Sequence, residues 1–437
     1  MDKKDTLFVL GAGASVDHGY PTGVQLLEDI VNFLENKAPF MFAPTSSVSN
    51  KQLVLILCAL NESYTDGVFN KKLPIEEFEH YKKLIDDFGR RLKFSTPRSI
   101  DDFIHSQVNA ESDNAQKERI KKLGKLLIVL RILQYEKKSK EYNHVTDFAD
   151  NVYSRTHGDI KGQTVYKQKI TFFTELWQNL YGGSYDDFLE NLNKVNFITF
   201  NYDRLLEHFL YDSASHFFQP TPQQLGDLKE RLKTNVHHVY GRLGSFLWEN
   251  EKGMDYGAID YASFVEAVSV AYIQVNESRN EADRNDKAAF SRVCKFLDRQ
   301  SEDSFASRKL LDFVFSSIST IRTYTELEAV GEPLYKNGFQ HMYFLGFSFH
   351  QLNLKAIAIR CRFDSLLQND RPQRIDACVF GLKNSEIRNA ALNVRRVLFG
   401  NLSKKEGVCI ADKVAYKIPL MIPDFFKTMQ GVRYINT

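Results

Sequence analysis

Cysteine is scarce and unpaired in this 437-residue chain: Cys58, Cys294, Cys361, Cys378 and Cys409 form an odd, scattered set without a CxxC pair. Such spacing supplies neither the paired ligands of a zinc ribbon nor a disulfide framework, and it points to a reducing, cytoplasmic setting. Long apolar runs are missing as well. The longest, Leu53 to Leu60 and Leu126 to Leu130, fall far short of the roughly 20 residues that cross a bilayer, so no spanning segment is expected. Charge of one sign is also absent. The 57 Lys and Arg stand against 55 Asp and Glu, a formal +2, which marks neither a polycation that coats nucleic acid nor an acidic tail. The start, MDKKDTLFVLGAGAS, has a basic end and a short apolar run that enters a glycine turn without a small-residue cleavage site. It reads as a strand, not a signal peptide.

What the chain does have is aromatic bulk, with 34 Phe and 20 Tyr, enough for large cores in two or three folding units. Thr6 to Leu10 predicts a strand, followed by a glycine turn and a helical stretch from Val24 to Leu34. From Ile75 apolar residues recur at spacings of three and four until Pro97, and the segment Glu111 to Glu141 carries Leu123, Leu126, Leu127, Leu130 and Leu133 among charges. Both predict amphipathic or surface helices. Phe172 to Leu180 also reads as helix. Strands are predicted at Val195 to Phe200, Val236 to Tyr240, Met342 to Leu345 and Ile375 to Phe380, and their alternation with helices favours a parallel α/β sheet. Asn276 to Lys287, charged and nearly without apolar residues, is the best candidate for a mobile linker.

Four motifs fall at the ends of predicted strands. Gly11-Ala12-Gly13-Ala14-Ser15 follows the first strand, where glycines let a pyrophosphate approach the backbone; a tight turn alone would use the same residues. The third glycine of the dinucleotide fingerprint is replaced by Val16, which weakens a dehydrogenase assignment. Thr199-Phe200-Asn201-Tyr202-Asp203 ends an apolar strand and precedes a helix. Its Asn and Asp can touch a ligand or cap that helix. His237-His238-Val239-Tyr240-Gly241 runs into another glycine turn, with His238 and Tyr240 on one strand face. Phe344-Leu345-Gly346-Phe347-Ser348-Phe349 meets a glycine and a serine suited to a ribose or phosphate, or to a plain loop.

In this order, GAGAS with Gly19 and Pro21, then TFNYD, the His-x-Tyr-Gly turn and FLGFSF resemble the sirtuin superfamily. More closely they are similar to bacterial sirtuin-like proteins of anti-phage defence, whose second motif has the form xxNYD and whose members commonly cleave NAD. Ser99-Ile100-Asp101-Asp102-Phe103 resembles a further element of that branch. The resemblance implies a Rossmann-like fold for the mostly parallel sheet flanked by helices, while the lack of strand signals between about 70 and 190 suggests a separate, mainly helical insertion lobe and the unpaired cysteines leave no zinc ribbon. The expected division is 1–70 and 191–385 for the nucleotide-binding domain, 71–190 for the insertion and 386–437 for a carboxyl-terminal segment.

By the same resemblance Gly11, Ala12, Gly13, Ala14, Ser15, Pro21 and Thr22 would cradle NAD, with Tyr240, Gly346, Phe347 and Ser348 lining the rest. Asn201, Asp203 and His238 would be catalytic. The superfamily histidine precedes the glycine of its pair, a place taken here by Tyr240, a poor base at neutral pH. His238, two residues earlier, is the expected base. The implied activity is NAD glycohydrolysis to nicotinamide and ADP-ribose without a metal, in an abortive-infection effector. A homo-oligomer and a partner such as a HerA-type ATPase or an Argonaute-like protein are expected, with no membrane and no direct nucleic-acid binding. The alternative is a binding module or scaffold that keeps the nucleotide pocket without turnover.

Overall fold

The computed structural model describes residues 6–37, 64–65, 68–69, 75–143, 153–157, 164–168, 171–249, 255–257, 339, 341–361, 374–378, 384–398 and 414–415. In chain order the strands are β1 (Thr6–Leu10), β2 (Tyr64–Thr65), β3 (Val68–Phe69), β4 (Tyr153–His157), β5 (Thr164–Gln168), β6 (Val195–Thr199), β7 (Val236–His238), β8 (His341–Leu345), β9 (Arg374–Ala377) and β10 (Val414–Ala415). The helices are α1 (Gly23–Lys37), α2 (Ile75–Ser95), α3 (Ile100–Ala110), α4 (Asn114–Asn143), α5 (Phe172–Leu180), α6 (Tyr185–Asn193), α7 (Leu205–Phe218), α8 (Pro222–Asn235), α9 (Gln351–Cys361) and α10 (Asn384–Leu398). The chain divides into two compact units, one of residues 1–20, 139–242 and 322–437, the other of residues 21–138 and 243–321.

The first unit is built on a parallel sheet in the order β10-β9-β8-β1-β6-β7, with the two-residue β10 at its edge. Numbered along the chain, its strands lie 3-2-1-4-5-6, so the order reverses at β1. Every residue of β1 and β6 is buried, as expected of central parallel strands covered on both faces. Phe8 stacks on its register partners Phe197 and Tyr343 at 5.5 and 5.4 Å. These cross-strand pairs fix the pleat.

The expected insertion over 71–190 differs from this division at both ends, since the second unit begins at residue 21 and residues 139–190 belong to the first. Thr171 caps α5 with a reciprocal Thr171–Thr174 box, and Phe172 packs on Phe8 of β1 while Phe173 packs on Phe209 of α7. Helices α5 and α6 therefore cover the sheet within its own unit. Strands also occur inside the span read as strandless, since β4 and β5 form an antiparallel pair. Their sequences, YSRTH and TVYKQ, lack the apolar alternation that announces a half-buried strand. The carboxyl-terminal part joins the sheet unit too, with α10 packed on α9 and β10 paired to β9.

In the second unit α1 packs against α2 and α3. Ser99 starts α3 by accepting the Asp102 N–H, and Asp101 and Asp102 lie in the favourable first turn. The SIDDF element is thus a helix start. Arg131 of α4 grips Asp29 of α1 with two hydrogen bonds of 2.6 and 2.7 Å. Among the described residues no helix is long and apolar enough to cross a membrane. Asn276 to Lys287 and Leu53 to Leu60 lie outside the described residues.

Candidate functional site

Parallel pairing brings the strand ends level. Leu10 is in register with Thr199 and with Leu345, and Thr199 is in register with His238. The residues that follow continue the ladder: Phe200 N–H donates to Leu10 O at 2.9 Å, Val239 N–H to Thr199 O at 3.0 Å and Gly11 N–H to Leu345 O at 2.9 Å. The four motifs therefore emerge along one carboxyl edge, where α/β sheets bind ligands, and the edge includes the place where strand order reverses.

Past β6 the chain is held by side chains. Asn201 N–H donates to Thr199 Oγ1 at 3.0 Å. The Asn201 carboxamide donates to Ser15 Oγ at 3.1 Å, and the Ser15 hydroxyl donates to Asp203 Oδ2 at 3.1 Å. A hydroxyl has one hydrogen, so Ser15, spending it on Asp203, can only accept from Asn201. This fixes the amide orientation. Asn201 Oδ1 is left as a buried acceptor without a hydrogen-bond donor. Asp203 Oδ1 accepts the N–H of Leu205, the first residue of α7, at 3.1 Å, while the N-cap position, Arg204, makes no side-chain capping bond. Burial pushes the Asp203 carboxyl up to about 6, against the bonds from Leu205 and Ser15 and the charge of His238, which lower it.

The backbone of the same asparagine is held from the other side. His238 Nδ1 lies 2.9 Å from Asn201 O, and His238 Nε2 lies 2.8 Å from Glu207 Oε1. Arg242 donates to that same Oε1 at 2.9 Å. Burial alone would raise the Glu207 carboxyl, but the charges and hydrogen bonds of His238 and Arg242 outweigh it and hold the group down at about 2. Glu207 is thus a carboxylate. Both ring nitrogens of His238 face acceptors, so each contact uses a ring N–H. A base role for His238 requires one nitrogen to be released first.

The glycine turn is packed closely against the turn after β8. A Cβ at Gly11 would lie 2.3 Å from Gly346 O, one at Gly13 2.7 Å from Gly346 Cα, and one at Gly346 2.3 Å from Ala14 N. Gly346 also has φ +58°, a left-handed conformation costly for other residues. The three glycines let the turns after β1 and β8 pack backbone to backbone. Gly13 N–H donates to Gly346 O and Ala14 N–H to Gly11 O, so with Gly11 three amides of the turn are already engaged. The predicted helix start is a seven-residue 3-10 helix, Ala12–His18, closed by Gly19 at φ 85°.

Tyr240 and His238 go to different partners. The Tyr240 hydroxyl donates to Asn353 Oδ1 of α9 at 2.7 Å, and its ring meets Phe200. Phe347 is buried against Phe344, Phe349 and Phe200, which makes it a packing residue, whereas Ser348 is exposed. Pro21 and Thr22 belong to the second unit. There Thr22 and Gln25 exchange backbone-to-side-chain bonds of 2.8 and 3.3 Å across the first turn of α1.

Glu207, Arg242 and Asn353 were not singled out by motif. Glu207 lies in the first turn of α7, four residues after Asp203, which precedes the helix. Arg242 sat inside the His-His-x-Tyr-Gly-Arg run without an assigned partner, and Asn353 had no sequence signal. Among the described residues no group of three or more His, Cys, Asp or Glu side chains is placed to hold a metal ion. Compared with known proteins, the chain matches no family model, no curated protein and no solved structure.

Proposed function

We propose that the first unit is a Rossmann-like dinucleotide-binding domain and that the protein is a sirtuin-like NAD glycohydrolase. The observation that carries this reading is Asn201 Oδ1, a buried acceptor without a donor at the carboxyl edge of the sheet. A strand order of 3-2-1-4-5-6 is that of doubly wound nucleotide-binding sheets. It supports the fold half of the proposal.

In the reaction the bond between nicotinamide and ribose breaks with its electron pair leaving on the nicotinamide nitrogen, which is cationic in NAD and becomes neutral. Water adds to the resulting oxocarbenium carbon and releases a proton, giving ADP-ribose. Asn201 Oδ1 accepts a hydrogen bond from the water or from a ribose hydroxyl and so orients it. Because the adding water turns strongly acidic as its bond forms, solvent suffices to take the proton. The chemistry requires no metal and no general acid.

Asp203 and Ser15 set the direction of the Asn201 carboxamide. When Asp203 gains a proton, its Oδ1 is still committed to the Leu205 N–H, so the new O–H faces Ser15 and reverses the chain of donors. Turnover should therefore fall as pH drops through about 6. Incubating the full chain with NAD and separating the products by chromatography tests the proposal: nicotinamide and ADP-ribose should appear in equal amounts from the wild type and about 100-fold more slowly from Asn201→Ala.

A second reading, a module that binds NAD or ADP-ribose without turnover, is favoured by one observation. Both candidate bases are engaged, His238 at both nitrogens and Tyr240 on Asn353. Binding of ADP-ribose with no nicotinamide release would select it. A role in anti-phage defence, oligomerisation, and a partner ATPase or Argonaute-like protein remain part of the proposal through the sequence resemblance.

A further inference from the structure

Two carboxylates at the start of α7 act on one asparagine by separate routes. Asp203 reaches the Asn201 side chain through Ser15, and Glu207 reaches the Asn201 backbone through His238. We infer that Glu207 is a positioning residue: its buried carboxylate, set between His238 and Arg242, keeps the imidazole a donor at both nitrogens and through it fixes the Asn201 carbonyl. This rests on the proposal that Asn201 faces the ligand.

The geometry leaves little freedom. A carbonyl and a carboxylate only accept, so a neutral ring would set one bare nitrogen against an acceptor at 2.8 or 2.9 Å. Glu207 is 2% exposed and its Oε1 takes donors from both His238 and Arg242. The charged groups around the ring are Glu207 from α7, Asp203 from the segment before it and Arg242 from the turn after β7. Removing the Glu207 charge leaves the His238 ring with no carboxylate hydrogen-bonded to it, the Asp203 carboxyl being engaged by Ser15 and Leu205. Without that carboxylate the Nε2 contact no longer anchors the imidazole, and its hold on the Asn201 carbonyl through Nδ1 is loosened.

The test is nitrogen NMR of the full chain labelled on histidine, recorded at pH 7 without nucleotide, with His238 identified by its disappearance in His238→Gln. The wild type should show protons on both ring nitrogens. Glu207→Gln, which keeps the side-chain shape, should show one bare nitrogen, whereas Arg242→Met, which keeps Glu207, should match the wild type. In NAD turnover Glu207→Gln should lower kcat by about 10- to 100-fold, the scale of a misplaced reacting group, with KM nearly unchanged. A bare nitrogen on His238 in the wild type overturns the inference, as does a Glu207→Gln protein with wild-type spectrum and wild-type kcat. Since the spectra need no substrate, a wild type that never releases nicotinamide removes the proposed function and leaves this measurement standing.

Discussion

The two halves of the sheet edge are made of opposite materials. After β1 and β8 the turns meet through backbone atoms, with Gly11, Gly13 and Gly346 leaving no room for a Cβ between them. After β6 and β7 the chain is held by side chains, in a continuous set of hydrogen bonds from Asp203 through Ser15 to Asn201 and from Asn201 through His238 to Glu207 and Arg242. The glycine half has the composition associated with phosphate binding, and its glycines also pack the two turns together. The polar half is costly to bury, and it leaves two acceptors, Asn201 Oδ1 and Glu207 Oε2, without a donor. A buried, oriented and incompletely satisfied network points to a ligand.

Substitutions should separate the halves. Gly346→Ala forces a left-handed alanine against the backbone of Gly13 and Ala14. It should destabilise the fold by about 3–5 kcal/mol, or prevent folding, as measured by urea unfolding. A fully stable variant would show that the two turns are not tightly packed. Asn201→Ala should instead lower NAD turnover by about 100-fold through lost orientation, with a stability loss of only about 1 kcal/mol from the missing bond to Ser15. Equal losses in both properties would erase the distinction between the halves.

Acidity offers a finer contrast. Asp203 is raised above its ordinary range, to about 6, chiefly by burial. Its folded state holds a proton that the unfolded chain has given up between about pH 4 and 6, so its contribution to stability is present below the unfolded value and lost as pH rises through about 6. Glu207, held down at about 2 by His238 and Arg242 against burial, contributes stability that is present above the unfolded value and lost as pH falls towards about 2. Stability of the wild type relative to Asp203→Asn, which cannot titrate, should therefore decline between pH 4 and 7 in urea titrations. A flat or rising difference would remove the buried-carboxyl account.

The smallest effect is reserved for Tyr240. Its hydroxyl serves Asn353, so Tyr240→Phe should cost about 1 kcal/mol or less and leave turnover unchanged. A large loss of turnover would move Tyr240 into the catalytic position that the sequence resemblance suggested.

Much of this edge was legible in the sequence because strand ends announce themselves. Thr6–Leu10 and Val195–Thr199 are short apolar runs stopped by a glycine and by polar residues, and a parallel sheet must bring such ends to one side. The pairing of Asn201 with Asp203 was legible for the same reason. The purpose of the glycines was not, because a GxG turn has the same composition whether it faces a phosphate or another turn, and Gly346 lies 333 positions after Gly13. The engagement of His238 was hidden too, since Glu207 reads as an ordinary helix residue until the helix is set against β7. The β4–β5 pair escaped because its sequences, YSRTH and TVYKQ, lack the apolar alternation of a half-buried strand.

The most direct measurement is the affinity of the full chain for ADP-ribose by calorimetry, compared between wild type and Asn201→Ala, because both the enzyme and the binding-module readings require that contact. The account predicts saturable one-site binding by the wild type, weakened by about tenfold when one buried hydrogen bond of about 1.4 kcal/mol is lost. No binding, or identical binding by the two proteins, would contradict it.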